Sequence, residues 1–413
     1  MAGSDLRNYA LVTGAYWGFT LTDGALRMLV LLHFDRLGYD PITIAFLFLF
    51  YEFFGIVTNL IGGWIAARLG LAVTLYGGLS LQILALAMLA FLQPHWSESV
   101  SVAYVMAAQA LSGIAKDLTK MSSKSAIKLV VPAGAEGTLF KWVSRLTGSK
   151  NALKGAGFFL GGVLLTTFGF EGGLWAMAVA LGLVLLGTVT AIPRGMGASK
   201  KKMKFTSILS KSAPVNWLSA ARMFLFGSRD AWFVVGLPIF LAASLGWSYA
   251  AVGGFIASWF IGYGFIQAIV PELLRKSQDG VDGGTAQLWA GVLALIPAAL
   301  AFLLTTSLDP GIVVVVGLGV FGIVFAINSA VHSYLILAYT DADKVALNVG
   351  FYYMANAAGR LLGTLASGIV FQYYGFVGCL IASAVMMIMA VLLSLGLPRG
   401  VAAPISGAVT DSE

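Results

Sequence analysis

Long apolar runs follow one another along the whole chain, separated by glycine, proline and clusters of charge. A helix needs about 20 apolar residues to cross a bilayer, and about twelve runs of that length can be placed. Their centres lie near residues 21, 53, 82, 110, 152, 182, 228, 260, 295, 325, 357 and 386. The pattern predicts an all-α membrane protein with twelve transmembrane helices.

The two halves of the chain resemble each other. The stretch RLGYDPITIAF aligns with SLGWSYAAVGGF 208 residues later, and KNALKGAGFFLGGVLLTTFGF aligns with NAAGRLLGTLASGIVFQYYGF at an offset of 206 residues, which matches Lys154 with Arg360. Such repeats indicate a major facilitator fold of two pseudo-symmetric six-helix halves around a central polar site. The predicted parts are an N-terminal half (1–193), a basic linker (194–213), a C-terminal half (214–398) and a tail (399–413).

Charge supports this topology. The chain is 59% hydrophobic and 10% charged, which excludes a water-soluble protein of ordinary surface composition. Much of the net charge of +7 comes from the central stretch PRGMGASKKKMKFTSILSKSAP. The positive-inside rule places this loop and both termini in the cytoplasm of a bacterial inner-membrane protein. The loop therefore predicts membrane orientation, and we expect no nucleic-acid partner.

Charged residues inside the predicted helices indicate the solute. A charge at the bilayer centre costs about 2.5 to 3.5 kcal/mol on insertion scales, so it needs a partner, water or a ligand. Cations outnumber carboxylates here, and arginine and lysine together suit phosphate, arsenate or carboxylate groups. The predicted substrate-binding residues are Arg27, Lys116, Lys120, Lys150, Asn151, Lys154, Arg222, Arg229, Tyr353, Asn356 and Arg360.

Four acidic residues share these helices: Asp23, Glu52, Asp117 and Asp230. Residues four apart are neighbours on a helix, so Asp23 is expected to pair with Arg27. Glu52 either couples transport to protons or neutralises a nearby lysine. Neutral hydrogen bonds to the solute are expected from Asn328 and His332.

Several other polar residues favour ordinary structural roles. The side chains expected at the cytoplasmic boundary are Arg68, Lys124, Lys128, Lys141 and Arg145. The stripe formed by Trp259, Tyr263 and Gln267 is expected to serve packing. The single cysteine, Cys379, excludes a Cys/His metal site, and no cofactor is expected. Because no catalytic grouping is evident, a membrane-embedded hydrolase or transferase is a poorly supported alternative.

Four stretches carry a more specific likeness: GAYWGFTLTDGALRMLVLLHF, AAQALSGIAKDLTKMSSKSAIKLVVP, LTGSKNALKGAGFFLGG and FLFGSRDAWFVVGLPIFL. The chain resembles the ArsJ family of organoarsenical efflux permeases over most of its length. The resemblance implies export of 1-arseno-3-phosphoglycerate, which glyceraldehyde-3-phosphate dehydrogenase forms from arsenate, without required contact between the two proteins. Arsenate resistance would follow. The resemblance implies no particular binding residues.

Two questions stay open at this point. The same cations suit an organophosphate/phosphate exchanger or another organic-anion transporter of the same superfamily. Alternating access is the expected mechanism, and either proton antiport or the membrane potential alone is an acceptable energy source.

Overall fold

The regular secondary structure of the described residues is entirely helical. The structure, a computed structural model, describes residues 3–69, 71–130, 136–192, 212–274, 281–339 and 345–399. A five-residue π-helix, Phe240–Ser244, continues the eighth helix. The α-helices are α1 (Gly3–Arg36), α2 (Pro41–Leu47), α3 (Leu49–Leu69), α4 (Leu71–Ala90), α5 (Glu98–Val130), α6 (Glu136–Ala191), α7 (Ala213–Phe233), α8 (Gly236–Ile239), α9 (Tyr249–Leu274), α10 (Gly283–Leu303), α11 (Pro310–Ala338) and α12 (Val345–Ser394).

The two longest helices, α6 and α12, each contain a reversal of the chain. Gly169 and Gly375 have non-helical backbone angles. A methyl group built on Gly173 would lie 3.3 Å from the Cβ of Leu164, whereas nine residues of straight helix span about 13 Å. Likewise, a methyl group built on Gly378 would lie 3.0 Å from Cγ1 of Val370. Both helices therefore fold back on themselves and cross the bilayer twice.

The number of crossings follows from these reversals. By length and apolarity, eight segments of the described chain can span a membrane. Two of them, residues 148–191 and 350–394, contain the reversals in α6 and α12. The more polar α1 and α5 have 34 and 33 residues, which is ample length for about 30 Å of hydrocarbon. With these two helices included, the described chain has enough helical length for the predicted twelve crossings, and every predicted span centre falls within a helix.

The backbone repeats between the halves. Positive φ values occur in the described chain at Gly38 (82°), Gly169 (71°), Gly246 (68°) and Gly375 (63°). Gly246 follows Gly38 by 208 residues, and Gly375 follows Gly169 by 206, which are the two offsets found in the sequence. Because side chains disfavour this conformation, the same two turns are specified in each half. The linker 194–213 lies almost wholly outside the described residues, so the boundaries of the four parts stay predictions.

The halves meet along two glycine-lined seams, where α6 packs on α9 and α12 packs on α2 and α3. At one end the backbones nearly touch. A methyl group on Gly162 would lie 2.6 Å from the Tyr249 carbonyl oxygen, and one on Gly368 would lie 2.5 Å from the Pro41 oxygen. No side chain larger than hydrogen fits there without movement.

The opposite ends of the same seams are wider. A methyl group on Gly264 would lie 3.3 Å from the Asn151 Cβ and 3.7 Å from the Gly148 carbonyl oxygen, and one on Gly350 would lie 3.8 Å from that of Asn59. These contacts are looser than the backbone contacts of 2.5 and 2.6 Å at the other end. The halves are thus most tightly closed at the end that carries the turns between α1 and α2 and between the π-helix and α9.

Candidate functional site

A continuous chain of ion pairs runs between the halves at the centre of the molecule. Glu52 of α3 accepts from Arg27 Nη1 at 2.9 Å and from Arg360 Nη2 at 2.6 Å through the same oxygen. Arg360 Nε also donates to Asp230 at 3.1 Å, and Asp230 accepts from Arg229 at 2.5 Å. Glu52 and Arg360 belong to opposite halves, so this carboxylate binds the halves together.

Two polar atoms in this central chain of ion pairs lack hydrogen-bond partners among the described residues. Arg27 Nη2 and Glu52 Oε2 are buried without a hydrogen-bond partner in the part of the chain that the structure describes. The guanidinium of Arg27 lies over the rings of Phe48, at 5.2 Å, and Tyr51, at 5.4 Å. Buried polar atoms normally have partners. The unmet donor and acceptor therefore mark a place where a polar ligand can add hydrogen bonds.

The expected pairing of Asp23 with Arg27 is wrong. Asp23 instead faces Lys154 Nζ, at 3.7 Å, and accepts a hydrogen bond from the Tyr51 hydroxyl at 2.6 Å. Arg27 reaches across to Glu52. The four-residue spacing brings Asp23 and Arg27 onto one helix face, but the neighbouring helices α3 and α6 offer each of them a closer partner.

A second polar cluster lies on α5. Asp117 is fully buried and pairs with both Lys116, at 4.0 Å, and Lys120. Lys120 also donates to the Asn59 side chain at 2.5 Å. Lys116 lies 4.0 Å from the centre of the Tyr51 ring, which connects this cluster to the central chain. The side chain of Lys124, four residues after Lys120, lies outside the described part of the structure.

Glu52 is neutralised by arginines, so the hypothesis that it serves a lysine needs correction. Both of its ion pairs with described residues are with guanidinium groups. The reason is reach: Arg360 extends from the opposite half into the space beside α3. A role of Glu52 in proton coupling stays a prediction.

Arg222 differs from the other central cations because its described partners are all neutral. Its Nε donates to Asn356 Oδ1 at 3.0 Å, and its Nη1 donates to the Ser329 carbonyl and hydroxyl oxygens, each at 3.1 Å. Its guanidinium lies 4.0 Å from the Phe226 ring centre and 5.1 Å from that of Tyr352. This buried positive charge has no carboxylate partner among the described residues.

The remaining predicted residues lie around these clusters. Asn151 donates to Gln267 at 3.2 Å, which joins α6 to α9 across the halves. Lys120 lies 5.5 Å from the centre of the Tyr353 ring, and Lys150 is half-buried on α6. Side chains of the predicted boundary residues are outside the described part of the structure, namely Arg68, Lys124, Lys128, Lys141 and Arg145.

The charge balance of the site is positive. The predicted cations number eight, against four carboxylates. Glu52, Asp117 and Asp230 are each shared by two cations. Because one carboxylate cannot cancel two positive charges, the charged side chains of the site carry a net positive charge.

A family model described as Major Facilitator Superfamily matches residues 11–340, which is most of the chain. The chain belongs to this superfamily. Among solved structures, a bacterial homologue of the iron transporter ferroportin in an inward-facing state is similar, with 14% identity, a TM-score of 0.68, and coverage of 94% of this chain and 98% of that one. No curated protein sequence matches the chain.

Membership of the major facilitator superfamily confirms the predicted fold class and a membrane transport function rather than an enzymatic one. The likeness to the ferroportin homologue concerns the fold alone at this identity. The central site lies between the two halves, where facilitator proteins are expected to bind their solutes.

The facilitator site encloses two narrow cavities. The first is lined by residues of both halves, including Arg27, Lys154, Arg229 and Arg360, and has room for about one water molecule. The second lies around Asp23 and Arg27 and is too narrow for a water molecule. Arg27, whose Nη2 is unpartnered among the described residues, lines both cavities.

Sequence reasoning missed several participants. Tyr263 and Gln267 both donate to the Ser329 hydroxyl, at 3.3 Å, although their stripe on α9 suggested packing alone. Trp259 does serve packing, with its Nε1 donating to the Leu318 carbonyl at 2.7 Å. Tyr51 precedes Glu52, and its polar role became evident only from the contact with Asp23. A polar residue at every fourth position of α9 was the available signal.

Proposed function

We propose that this major facilitator protein exports a small solute with at least two negative charges, and that the solute is 1-arseno-3-phosphoglycerate. The observation that supports the proposal is the sharing of Glu52 and Asp230 among three arginines in the space between the halves. A site of net positive charge selects anions over neutral or cationic solutes. Iron, the cargo by which ferroportin is described, is a cation and is disfavoured here for that reason.

The chemistry of the donors fits arsenate and phosphate. Arginine presents a planar fork of donors that can bind two oxygens of a tetrahedral oxyanion, and lysine adds a compact charge. Arg27 and Arg360 approach a common point because they share one oxygen of Glu52. An oxyanion at that point would replace the carboxylate and satisfy the unpartnered Nη2 of Arg27.

The identity of the solute rests on the resemblance to the ArsJ family. The segments that carry this resemblance, in α1, α5, α6 and α7, also contain most of the central cations. Within this proposal, glyceraldehyde-3-phosphate dehydrogenase supplies the ester in the cytoplasm, and the transporter removes it across the bacterial inner membrane. Arsenate resistance results from the pair of activities, without a complex between the two proteins.

Alternating access gives Glu52 a specific part in the cycle. In the empty protein Glu52 holds Arg27 and Arg360 together. When the solute binds both arginines, the carboxylate is released, and the halves are free to separate at their closed end. Each negative charge that leaves a cytoplasm at −100 mV gains about 2.3 kcal/mol. The membrane potential can therefore drive export of a multivalent anion without a coupled proton.

Arsenate tolerance of sensitive cells tests the proposal. Cells express the dehydrogenase with the wild-type transporter, with Lys154→Ala or Arg360→Ala, or with the surface control Arg399→Ala, and membrane levels are matched. We expect resistance and low arsenic retention only when both proteins are present, with loss in the two central variants and none in the control. Resistance from the transporter alone would indicate efflux of arsenate itself.

The main competing function is exchange of an organophosphate for inorganic phosphate. It uses the same cations but moves its solute only against phosphate on the opposite side. Sealed everted vesicles separate the two functions. Accumulation of the arsenate ester without internal phosphate supports export, whereas a strict requirement for internal phosphate supports the exchanger.

A further inference from the structure

The polar residues of the site form two layers rather than one. Three helices that line the site each carry a pair of polar residues seven positions apart, which is a rise of about 10 Å. The pairs are Glu52 and Asn59 on α3, Arg229 and Arg222 on α7, and Arg360 and Tyr353 on α12. The first member of each pair belongs to the central chain of ion pairs.

The second members, together with the α5 cluster, form the other layer. Asn59 accepts a hydrogen bond from Lys120, at 2.5 Å, and Lys120 lies 5.5 Å from the Tyr353 ring centre. Asn356, three residues after Tyr353, accepts from Arg222 at 3.0 Å. Lys120 comes from the N-terminal half and Arg222 from the C-terminal half, so both halves supply a cation to this layer as well.

Arg222 indicates what the second layer binds. It is 5% exposed, and its hydrogen bonds to described residues use Nε and Nη1. Nη2 has no such bond in the described part of the chain. His332 lies one helical turn after Ser329, which accepts hydrogen bonds from Arg222, and is buried with Nδ1 unpartnered among described residues. A buried guanidinium without a carboxylate is costly, and an anionic ligand would offset that cost.

We propose that Arg222, with Asn356 and His332, forms a second anion subsite and that the transporter recognises the distance between two anionic ends of one solute. Arg27 and Arg360 hold one end, and Arg222 holds the other. A three-carbon chain with two ester oxygens separates its terminal phosphorus or arsenic atoms by about 7 Å, given bond lengths of about 1.5 Å. Long arginine side chains cover the remaining few ångströms. This inference rests on the proposed function, because it explains how that site selects a doubly anionic three-carbon solute.

Binding of stable phosphate esters to the detergent-purified, full-length protein tests the subsite. The probes are propane-1,3-diol bisphosphate, propyl monophosphate and inorganic phosphate, titrated calorimetrically. The wild type is expected to bind the bisphosphate at least about tenfold more tightly than the monophosphate. Arg222→Ala removes this preference and leaves monophosphate affinity unchanged, because the monophosphate uses the central arginines. Arg399→Ala, a surface change, preserves it.

Other results would overturn the inference. Absence of a bisphosphate preference in the wild type contradicts the two-layer site. Equal weakening of both esters in Arg222→Ala shows that Arg222 only supports the general structure or field. If Arg222→Ala is not monodisperse, Arg222→Lys replaces it: the preference falls by several-fold if the planar fork of Arg222 binds the second anion, and an unchanged preference rejects that role.

The cell assay distinguishes failure of this inference from failure of the proposed function. A bisphosphate preference that depends on Arg222, without arsenate resistance in cells, keeps the subsite and rejects the arsenic ester as the solute. Full resistance with Arg222→Ala, equal to that of Arg399→Ala, keeps the function and rejects the subsite.

Discussion

Replacing Glu52 by glutamine tests the role of the carboxylate that joins the halves. Glu52 is fully buried, and one of its oxygens accepts from Arg27 at 2.9 Å and from Arg360 at 2.6 Å. Glutamine has nearly the same shape but no charge. The change therefore removes the electrostatic attraction and leaves at most weak hydrogen bonds to the two guanidinium groups.

The magnitude can be worked from these contacts. Two unit charges about 4 Å apart interact by about 4 kcal/mol at an effective dielectric constant of 20, and breaking a buried ion pair costs about 3 to 5 kcal/mol. Because the amide retains part of the hydrogen bonding, we expect the free energy of unfolding to fall by about 3 kcal/mol. Anions no longer compete with the carboxylate for the arginines. Their affinity should therefore rise between about tenfold and 100-fold, which corresponds to about 1.4 to 2.8 kcal/mol.

Thermal unfolding of the purified protein, with and without inorganic phosphate, measures both effects. Without phosphate, Glu52→Gln should unfold at a lower temperature than the wild type. With phosphate, the variant should gain more stability, by about 1.4 kcal/mol for each tenfold increase in affinity at saturating ligand. Glu171→Gln is the matched control, because Glu171 is exposed. Unchanged stability and an unchanged phosphate response in Glu52→Gln would refute the competition between Glu52 and the solute.

Three further changes test the fold and the site. Gly169→Ala should lower the free energy of unfolding by about 1 to 3 kcal/mol, because φ of 71° with ψ of −172° is a conformation almost restricted to glycine. Gly291→Ala, with open space around it, should not lower it in the same denaturation assay. Tyr51→Phe should cost about 1.5 to 3 kcal/mol, since a buried hydrogen bond of 2.6 Å to Asp23 is lost; equal denaturation curves would contradict this. Gly368→Ala places a methyl group in the closed end of the seam and should lengthen spin-label distances between the two turns there, whereas an unchanged distance distribution would show that the seam adapts.

The fold was largely predictable because its information is local or repeated. Apolar run lengths define the helices, and the two sequence offsets match the recurrence of positive φ at Gly38 and Gly246 and at Gly169 and Gly375. Such turns need glycine wherever they occur. A repeat in sequence therefore reports a repeat in backbone structure, even where side chains between the halves differ.

The candidate site was predictable in composition but not in pairing. The excess of buried cations follows from counting charges within apolar runs. Their partners do not, because Asp23 is bound by Lys154 and Tyr51 from other helices, and the rotation of each helix decides those contacts. The four-residue rule gave the wrong pair, Asp23 with Arg27, since it considers only one helix at a time.

The Arg222 environment illustrates the same limit. Asn356 lies 134 residues from Arg222 in the chain, and Ser329 lies 107 residues away. Spacing predicted that Arg222 faces the site. Its lack of a carboxylate partner among the described residues depends on how α7, α11 and α12 pack together, which spacing within one helix does not report. Hydrogen bonds from Tyr263 and Gln267 to Ser329 depend on the same packing.

Arsenic uptake by sealed everted membrane vesicles tests the central claim most directly. The external medium contains arsenate, glyceraldehyde 3-phosphate, the oxidised nicotinamide cofactor and the dehydrogenase, so that the ester forms on the cytoplasmic face. We predict arsenic accumulation inside vesicles that carry the transporter, dependent on the dehydrogenase and lost in Arg360→Ala but retained in Arg399→Ala. Accumulation that is equal without the dehydrogenase, or that is absent with every component present, would contradict export of the doubly anionic ester through this site.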